Sequence, residues 1–240
     1  MTLVSGESFH TVVRQLWGGV SRITGKDSPF LRMGPPLARY LFRVNVVTSV
    51  HHHLWDETSL VLRKAIDRYV DDGDRVLDLG TGQAGLLAIY CSTLRDVEIH
   101  AVDVNQEYLR NAQSVARANA CESIRFSRSD WLSNVRGSFD LIWANIPYIP
   151  TDIGMRGPHR QCPRDVWDGG DDGFEHGRRI LREVEYYLAP EGRFLLGVNT
   201  AYVPRRVTVS AVQEYSHLAL YDVVSIWWLP SEVYVIGLGN

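Results

Sequence analysis

Residues 75–85 read Arg75-Val76-Leu77-Asp78-Leu79-Gly80-Thr81-Gly82-Gln83-Ala84-Gly85. The apolar residues at the start predict a short buried strand, and the glycines at 80, 82 and 85 form a G-x-G-x-x-G turn that leads into a helix. Glycine lets the backbone of such a turn approach a ligand closely. Asp103 ends the next predicted strand roughly 20 residues later, where a ribose-binding carboxylate is expected. The stretch therefore predicts an open α/β fold with a ligand at this turn.

The acidic residues near the turn indicate which ligand it binds. Asp78 lies two residues before Gly80, and its carboxylate would repel the pyrophosphate of a dinucleotide. S-adenosylmethionine (SAM) carries no phosphate, and its sulfonium and ammonium groups tolerate a nearby carboxylate. Asp130, which follows a later strand, is read either as an acceptor for the adenine amino group or as a helix N-cap. We therefore expect SAM as the cofactor, with an NAD-dependent oxidoreductase as a less favoured alternative.

The composition excludes several classes of protein. A chain of 240 residues with 45% hydrophobic content suits one α/β domain with an added segment. Its net charge of -3 offers no general attraction to phosphate backbones, so we expect no nucleic-acid partner. Three scattered cysteines indicate a reducing compartment. No signal peptide or membrane-length apolar run is visible, so the sequence predicts a cytoplasmic protein without a membrane partner.

The region before residue 55 is predicted to be a cap. Apolar residues at helical spacing over 9–20 predict an amphipathic helix that packs on the domain or covers the cofactor cleft. Gly34-Pro35-Pro36 is expected to break the chain, and residues 44–50 read as extended. His51-His52-His53 has no nearby third ligand, so no metal site is predicted. We divide the chain into an N-terminal cap segment, 1–54, and a SAM-binding α/β domain, 55–240.

Strands and helices alternate from Arg75 onward. The predicted helices cover 84–94 and 106–118, and the predicted strands cover 124–127, 141–144, 193–198, 223–229 and 233–238. The apolar runs do not alternate with polar residues, which is typical of a parallel sheet buried on both faces. Only three residues separate the last two strands, whereas a parallel crossover needs about a dozen or more. The sequence thus predicts a doubly wound, mostly parallel sheet with a C-terminal antiparallel hairpin, preceded by a short helical or extended segment.

A second motif, Asn145-Ile146-Pro147-Tyr148, follows the strand at 141–144. Ligands of open α/β sheets bind beyond the carboxyl ends of the strands, so Asn145 should lie on the same rim as Gly80 and Asp103. The Asn145 carbonyl and the backbone carbonyl of Ile146 or Pro147 are suited to accept hydrogen bonds from a planar NH2 group. Tyr148 offers a ring face for that group. The alternative interpretation is a strand-ending Asn-x-Pro turn.

These motifs resemble the class I SAM-dependent methyltransferases with an N-P-P-Y motif, and the HemK-like family in particular, which methylates a glutamine side-chain amide in release factors. The resemblance rests on five ordered segments from residue 56 to the C-terminus: 78–82, 101–104, 129–130, 145–150 and 167–173. It implies cofactor contacts from Asp78, Gly80, Gly82, Asp103, Val104, Asp130, Trp131 and Asn145, and acceptor positioning by Asn145, Pro147 and Tyr148. Three features depart from the family: Ile146 replaces the first proline, Leu54-Trp55-Asp56 replaces Pro-Arg-Pro, and the N-terminal region is short.

Residues 149–172 form a long connection with three arginines, Arg156, Arg160 and Arg164, of which at least one is expected to face the site. Trp55 and Trp131 are candidates for the wall of the pocket. We interpret the chain as a SAM-dependent methyltransferase that modifies a planar nitrogen of a small-molecule metabolite. The alternatives are a protein glutamine methyltransferase, which is the second choice, and a SAM-binding protein without activity.

Overall fold

The computed structural model describes residues 29–46 and 55–239. The predicted helix over 9–20, the histidines at 51–53 and most of the extended segment at 44–50 lie outside the described residues. The division into a cap and a domain at residue 54 therefore stays a prediction.

The described chain alternates between helices and strands. The helices are α1 (Pro29–Phe42), α2 (Glu57–Tyr69), α3 (Leu86–Leu94), α4 (Gln106–Ala118), α5 (Thr151–Arg156), α6 (Glu175–Leu181) and α7 (Arg205–Gln213). The strands are β1 (Arg75–Leu79), β2 (Glu98–Asp103), β3 (Arg125–Arg128), β4 (Phe139–Asn145), β5 (Leu188–Asn199), β6 (Leu218–Ser225) and β7 (Ser231–Leu238). Short 3-10 helices span Pro158–Gln161, Arg164–Val166 and Val184–Tyr187.

The strands form one seven-stranded sheet in the order β3-β2-β1-β4-β5-β7-β6. β1 to β5 are mutually parallel, and β7 pairs antiparallel with both β5 and β6. The predicted mostly parallel sheet with a C-terminal antiparallel hairpin is therefore confirmed. The order of the strands reverses at β1, because β2 and β3 lie on one side of it and β4 and β5 lie on the other. The carboxyl ends of β1, β2 and β4 therefore meet at one crevice.

Local signals in the sequence explain the helix boundaries beside that crevice. Asp56 caps α2 by accepting a hydrogen bond from the backbone of Ser59, and the Asn105 side chain caps α4. Gly85 precedes α3 in the left-handed conformation, with φ 56°. A Cβ atom at Gly85 would also lie 3.2 Å from the Cβ of Ala112, so this glycine permits close packing of α3 against α4.

Helices cover both faces of the sheet. One apolar cluster joins α1, α2 and α3 to one face and includes Trp143 and Val235. The other joins α6 and α7 to the opposite face and includes Phe194 and Tyr234. Both faces of the central strands are thus buried, which accounts for their continuous apolar sequence.

Two local predictions were wrong. Gly34-Pro35-Pro36 does not break the chain, because α1 continues through it to Phe42. The prolines remove two helical N–H donors, but Ala38 and Phe42 beyond them are fully buried, and the Phe42 ring meets Tyr90 edge-on at 6.3 Å. Strand β6 ends at Ser225, whereas the apolar run had suggested residue 229, because residues 226–229 form the turn. Within the described part of the chain, no helix is long and apolar enough to cross a membrane.

Candidate functional site

A cavity of about 670 Å³ opens at the carboxyl ends of the parallel strands. All ten residues that the sequence predicted to contact the cofactor or to position the acceptor line it. These are Asp78, Gly80, Gly82, Asp103, Val104, Asp130, Trp131, Asn145, Pro147 and Tyr148. Trp55, predicted as a wall residue, lines it too. The fold therefore brings the cofactor motif and the Asn145 motif to one place.

The glycine turn is fixed by the strand beside it. The backbone N–H groups of Gly80 and Thr81 both donate to the carbonyl oxygen of Val102 at 2.9 Å. The Thr81 hydroxyl donates to Asp78 Oδ2 at 2.7 Å. Burial raises the pKa of the Asp78 carboxyl to about 7. A cationic ligand beside Asp78 would favour its ionised form.

Asp103 lies at the end of β2, facing the turn. Its Oδ2 accepts a hydrogen bond from the backbone of Gly82 and its Oδ1 accepts one from Asn105, each at 2.9 Å. Each carboxylate oxygen has a second lone pair, so the group retains the capacity to accept from a ribose hydroxyl. Burial raises the pKa of this carboxyl. The position agrees with the predicted ribose-binding role, which remains a proposal.

Trp131 and Asp130 form the wall beyond Gly80. A Cβ atom at Gly80 would lie 3.3 Å from the Trp131 ring. The ring would have to shift by a few tenths of an ångström to admit any residue other than glycine. The Trp131 indole donates to His176 Nδ1 at 3.2 Å. Asp130 Oδ2 accepts from Arg179 at 2.7 Å, which restrains the carboxylate that we predicted for adenine.

The charges around the cavity have one sign. Six of its lining residues are acidic, namely Asp56, Glu57, Asp78, Asp103, Asp130 and Asp165, and no described lysine or arginine is among them. Such a lining suits a sulfonium and an ammonium and disfavours a pyrophosphate. The residues present therefore fit SAM better than a dinucleotide.

Asn145 is held in one orientation by α2. Its Nδ2 donates to Asp56 Oδ1 at 3.0 Å and to the Ser59 hydroxyl at 3.3 Å. Because a carboxylate only accepts hydrogen bonds, the amide nitrogen must face Asp56 and the amide oxygen must face away from it. That oxygen is buried and has no hydrogen-bond partner in the described structure. A buried acceptor without a partner is costly, so Oδ1 is ready for a donor on a ligand.

Tyr148 is anchored to the same carboxylate. Its hydroxyl donates to Asp56 Oδ2 at 2.7 Å and accepts from Thr58 at 3.3 Å. Burial and the negative charge of Asp56 raise the pKa of this phenol well above its ordinary value, so it stays neutral. The ring stacks on Tyr202 with centroids 6.0 Å apart, which occupies one face. Only the other face remains for the planar group that we expected it to hold.

The sequence did not reveal the part of the site built by α2 and β5. The sequence did not assign Asp56, Glu57, Ser59 or Asn199 to the site, yet all four line the cavity. Asn199 Nδ2 donates to Glu57 Oε1 at 2.7 Å. Burial, and next the charge of Asp56, raise the pKa of Glu57 to about 7. The available signal was the acidic pair at the start of α2 within the resembling region.

The connection after Tyr148 folds over the cavity. Ile149 donates to Trp167 and accepts from Gly169, each at 2.9 Å, which closes the ends of the connection on each other. Arg156 pairs with Asp152, and Arg164 pairs with Asp168. None of the three loop arginines lines the cavity, so the expectation that at least one faces it was wrong. Their acidic neighbours hold two of them at the surface.

Residues 46–152 match the family model of the methyltransferase small domain. The chain is 31% identical over 137 residues to the ribosomal protein uL3 glutamine methyltransferase of Francisella tularensis, a match covering 55% of this chain and 43% of that protein. It is 31% identical over 168 residues to the release factor glutamine methyltransferase of Agrobacterium fabrum, covering 68% of this chain and 56% of that protein. The chain thus spans about half the length of these curated relatives.

A solved methyltransferase from Pyrococcus furiosus superimposes with a TM-score of 0.61 at 16% identity, covering 85% of this chain and 92% of that one. At this identity the likeness shows the fold. Together the comparisons confirm the predicted class I methyltransferase fold, the resemblance to the HemK-like family, and SAM as the cofactor of such a domain.

Proposed function

We propose that this relative of the protein glutamine methyltransferases transfers a methyl group from SAM to the side-chain amide nitrogen of a glutamine in a protein. The observation that carries the proposal is the unpartnered Oδ1 of Asn145 inside the cofactor cavity. A primary amide has two N–H donors in one plane. Asn145 Oδ1 would accept one, and the backbone carbonyl of Ile146 or Pro147 would accept the other.

This arrangement would orient the acceptor nitrogen. With both N–H bonds fixed in a plane, the nitrogen presents its face along one direction, toward the methyl group of SAM. The new N–C bond forms while the C–S bond breaks, and the electron pair of that bond leaves on sulfur as a neutral thioether. Orientation of this kind lowers a barrier by several kcal/mol without a metal or a covalent enzyme intermediate.

The reaction also releases a proton from nitrogen. Glu57 lines the cavity and directly follows Asp56, the carboxylate that holds Asn145. With a pKa of about 7, the Glu57 carboxyl is partly ionised at neutral pH and is suited to accept that proton. Its Oε1 is held by Asn199, so the group has a fixed position.

Two lines favour a protein substrate over a metabolite. By their names, the relative from Francisella tularensis methylates glutamine in a ribosomal protein, and the relative from Agrobacterium fabrum methylates glutamine in a release factor. The loop arginines, which we had expected to hold a carboxylate of a small molecule, do not line the cavity. A compact metabolite amide stays the second candidate, because a cavity of about 670 Å³ lies within the range that holds small ligands.

A labelling experiment tests the proposal. The protein is incubated with methyl-labelled SAM and, separately, with release factors, ribosomal proteins, ribosomal RNA and a metabolite extract. We expect label in a protein, released on acid hydrolysis as methylamine from N-methylglutamine. Label confined to the metabolite fraction would replace this proposal with the second candidate, and label confined to RNA would contradict both.

A further inference from the structure

Two tryptophans form the tip of the β6–β7 hairpin. The Leu229 N–H donates to the Ile226 carbonyl at 2.8 Å, so Trp227 and Trp228 occupy the two central positions of a β-turn. Leu229 is buried and Ile226 packs against the core, which anchors the turn. Trp227 is nevertheless 84% exposed and Trp228 is 46% exposed. Central turn positions usually carry glycine, proline, asparagine or aspartate, so this pair has no evident role in the turn itself.

The tip lies on the rim of the cavity. Ser231, the first residue of β7, pairs with Asn199 at the carboxyl end of β5. Ser225, the last residue of β6, pairs with Glu232 in the same region. The turn between them therefore projects from the same end of the strands as the cavity. Pro230, which follows the turn, is itself a lining residue.

Hydrogen bonds connect the tip to the acceptor site. Pro230 accepts from the backbone and the hydroxyl of Thr200, at 2.7 Å and 2.8 Å. The Ser231 hydroxyl lies 2.9 Å from the Thr58 hydroxyl, which donates to Tyr148. Because the single hydroxyl proton of Thr58 is donated to Tyr148, the Ser231 hydroxyl donates to Thr58. The tip is thus held at a fixed position relative to Tyr148.

Exposed aromatic residues beside a binding site are typical of macromolecular recognition. Large exposed apolar side chains that serve no packing role mark interaction surfaces, and tryptophan is enriched among the residues that dominate binding. A free metabolite bound in the cavity would not reach beyond its mouth. A polypeptide whose glutamine side chain enters the cavity must cross the rim, where the tryptophans lie.

We propose that Trp227 and Trp228 form a docking platform for the protein substrate, on which an apolar side chain close to the modified glutamine packs. This inference rests on the proposed function and deepens it, because it assigns substrate recognition to the hairpin tip. The partner is the glutamine-bearing loop of the substrate protein. We choose this partner because Pro230, which directly follows the tip, lines the cavity, so a chain that enters the cavity passes the tip.

The test compares the double variant Trp227→Ser, Trp228→Ser with the wild type. The matched control is Tyr186→Ser, since Tyr186 is 75% exposed and lies just before the amino end of β5, at the opposite end of the strands from the cavity. Two substrates are compared. One is the protein that the wild type labels, and the other is a single glutamine whose α-amino and α-carboxyl groups are blocked and whose side-chain amide is free. We expect the double variant to raise the KM for the protein at least tenfold, with unchanged SAM affinity, unchanged turnover of the blocked amide and unchanged melting temperature. The control variant should behave as the wild type.

Equal loss with both substrates, or no loss with the protein, would overturn the docking proposal while the proposed function stands. A wild type that labels no protein would overturn both. Analytical ultracentrifugation tests whether the tip binds a second copy of this chain, and flotation with anionic vesicles tests whether it binds a lipid surface. A variant that loses self-association or vesicle binding but keeps its KM for the protein would reassign the tip to a second copy or to a lipid surface.

Discussion

Asn145 Nδ2 donates a hydrogen bond of 3.0 Å to Oδ1 of Asp56, the residue that caps α2. The same carboxylate accepts from the backbone of Ser59 at 2.8 Å and from the Tyr148 hydroxyl at 2.7 Å. One side chain thus caps a helix and also holds the Asn145 amide and the Tyr148 hydroxyl in place. The proposed acceptor site is therefore supported by a helix terminus as well as by a loop.

Replacing Asp56 separates these two roles. Asparagine is as good an N-cap as aspartate, so Asp56→Asn should keep the melting temperature within a few degrees. The variant loses the acceptor-only group that orients the Asn145 amide, and a misplaced catalytic group costs roughly 100-fold in rate. We expect turnover to fall by that order, which is far more than the change in SAM affinity that calorimetry measures. Full turnover in Asp56→Asn would show that Asn145 does not depend on it.

Asn145→Ala should retain SAM binding and lose most turnover. The reason is that Asn145 Oδ1 is expected to act on the acceptor nitrogen, and a group that acts in the transition state lowers kcat more than it changes cofactor affinity. Single-turnover assays with labelled SAM and calorimetry measure the two effects separately. Near-normal turnover in a folded Asn145→Ala variant would rule out nitrogen orientation and reopen oxygen acceptors.

Asp103→Ala should weaken SAM binding by at least about 1.5 kcal/mol, the value of a hydrogen bond to a charged group. Asp103 faces the glycine turn through its bond to Gly82, where a ribose is expected. Asp130→Ala should have a smaller effect, because Asp130 is already paired with Arg179. Calorimetry with S-adenosylhomocysteine checks both variants. Unchanged affinity in Asp103→Ala would remove it from the cofactor site.

Glu57 should make the stability of the protein depend on pH. Its pKa is raised from 4.5 to about 7 in the folded chain, so between these values the folded state binds more protons than the unfolded state. The free energy of unfolding therefore falls as the pH rises from about 4.5 to 7 and levels off above that. Glu57→Gln cannot ionise but can still accept from Asn199.

The difference in stability between Glu57→Gln and the wild type should therefore grow in favour of the variant over that pH range, by an amount on the order of 3 kcal/mol. Chemical denaturation at several pH values measures it. Using the difference between the two proteins removes the contribution of Asp78, which has the same sign. A difference that is constant with pH would contradict the raised pKa of Glu57.

The sequence predicted those features that depend on local patterns. The glycine turn, the strand alternation and the short link before β7 were sufficient to predict the sheet and its hairpin. The site residues Asp103 and Asn145 follow strands, so the carboxyl-end rule placed them on one rim. Asp56 could not be assigned in this way, because it contacts Asn145 across 89 positions of sequence. Its role is visible only once α2 packs over β4.

Helix α1 illustrates the opposite error. Gly34-Pro35-Pro36 is a strong local signal for a break, yet the helix continues because Ala38 and Phe42 have a buried surface to pack against. Tertiary packing outweighed the local signal here. A sequence shows the cost of two prolines but not the contacts that offset it.

The connection after Tyr148 is closed at its base by the pairing of Ile149 with Asp168. Because both ends meet there, changes in the length of the segment between them are not transmitted to the sheet, and the entropic cost of a longer loop grows only with the logarithm of its length. We therefore expect the segment to accept insertions and deletions more readily than the strands do. An altered segment would change what covers the cavity, while the strands that hold Asp103 and Asn145 would keep their register.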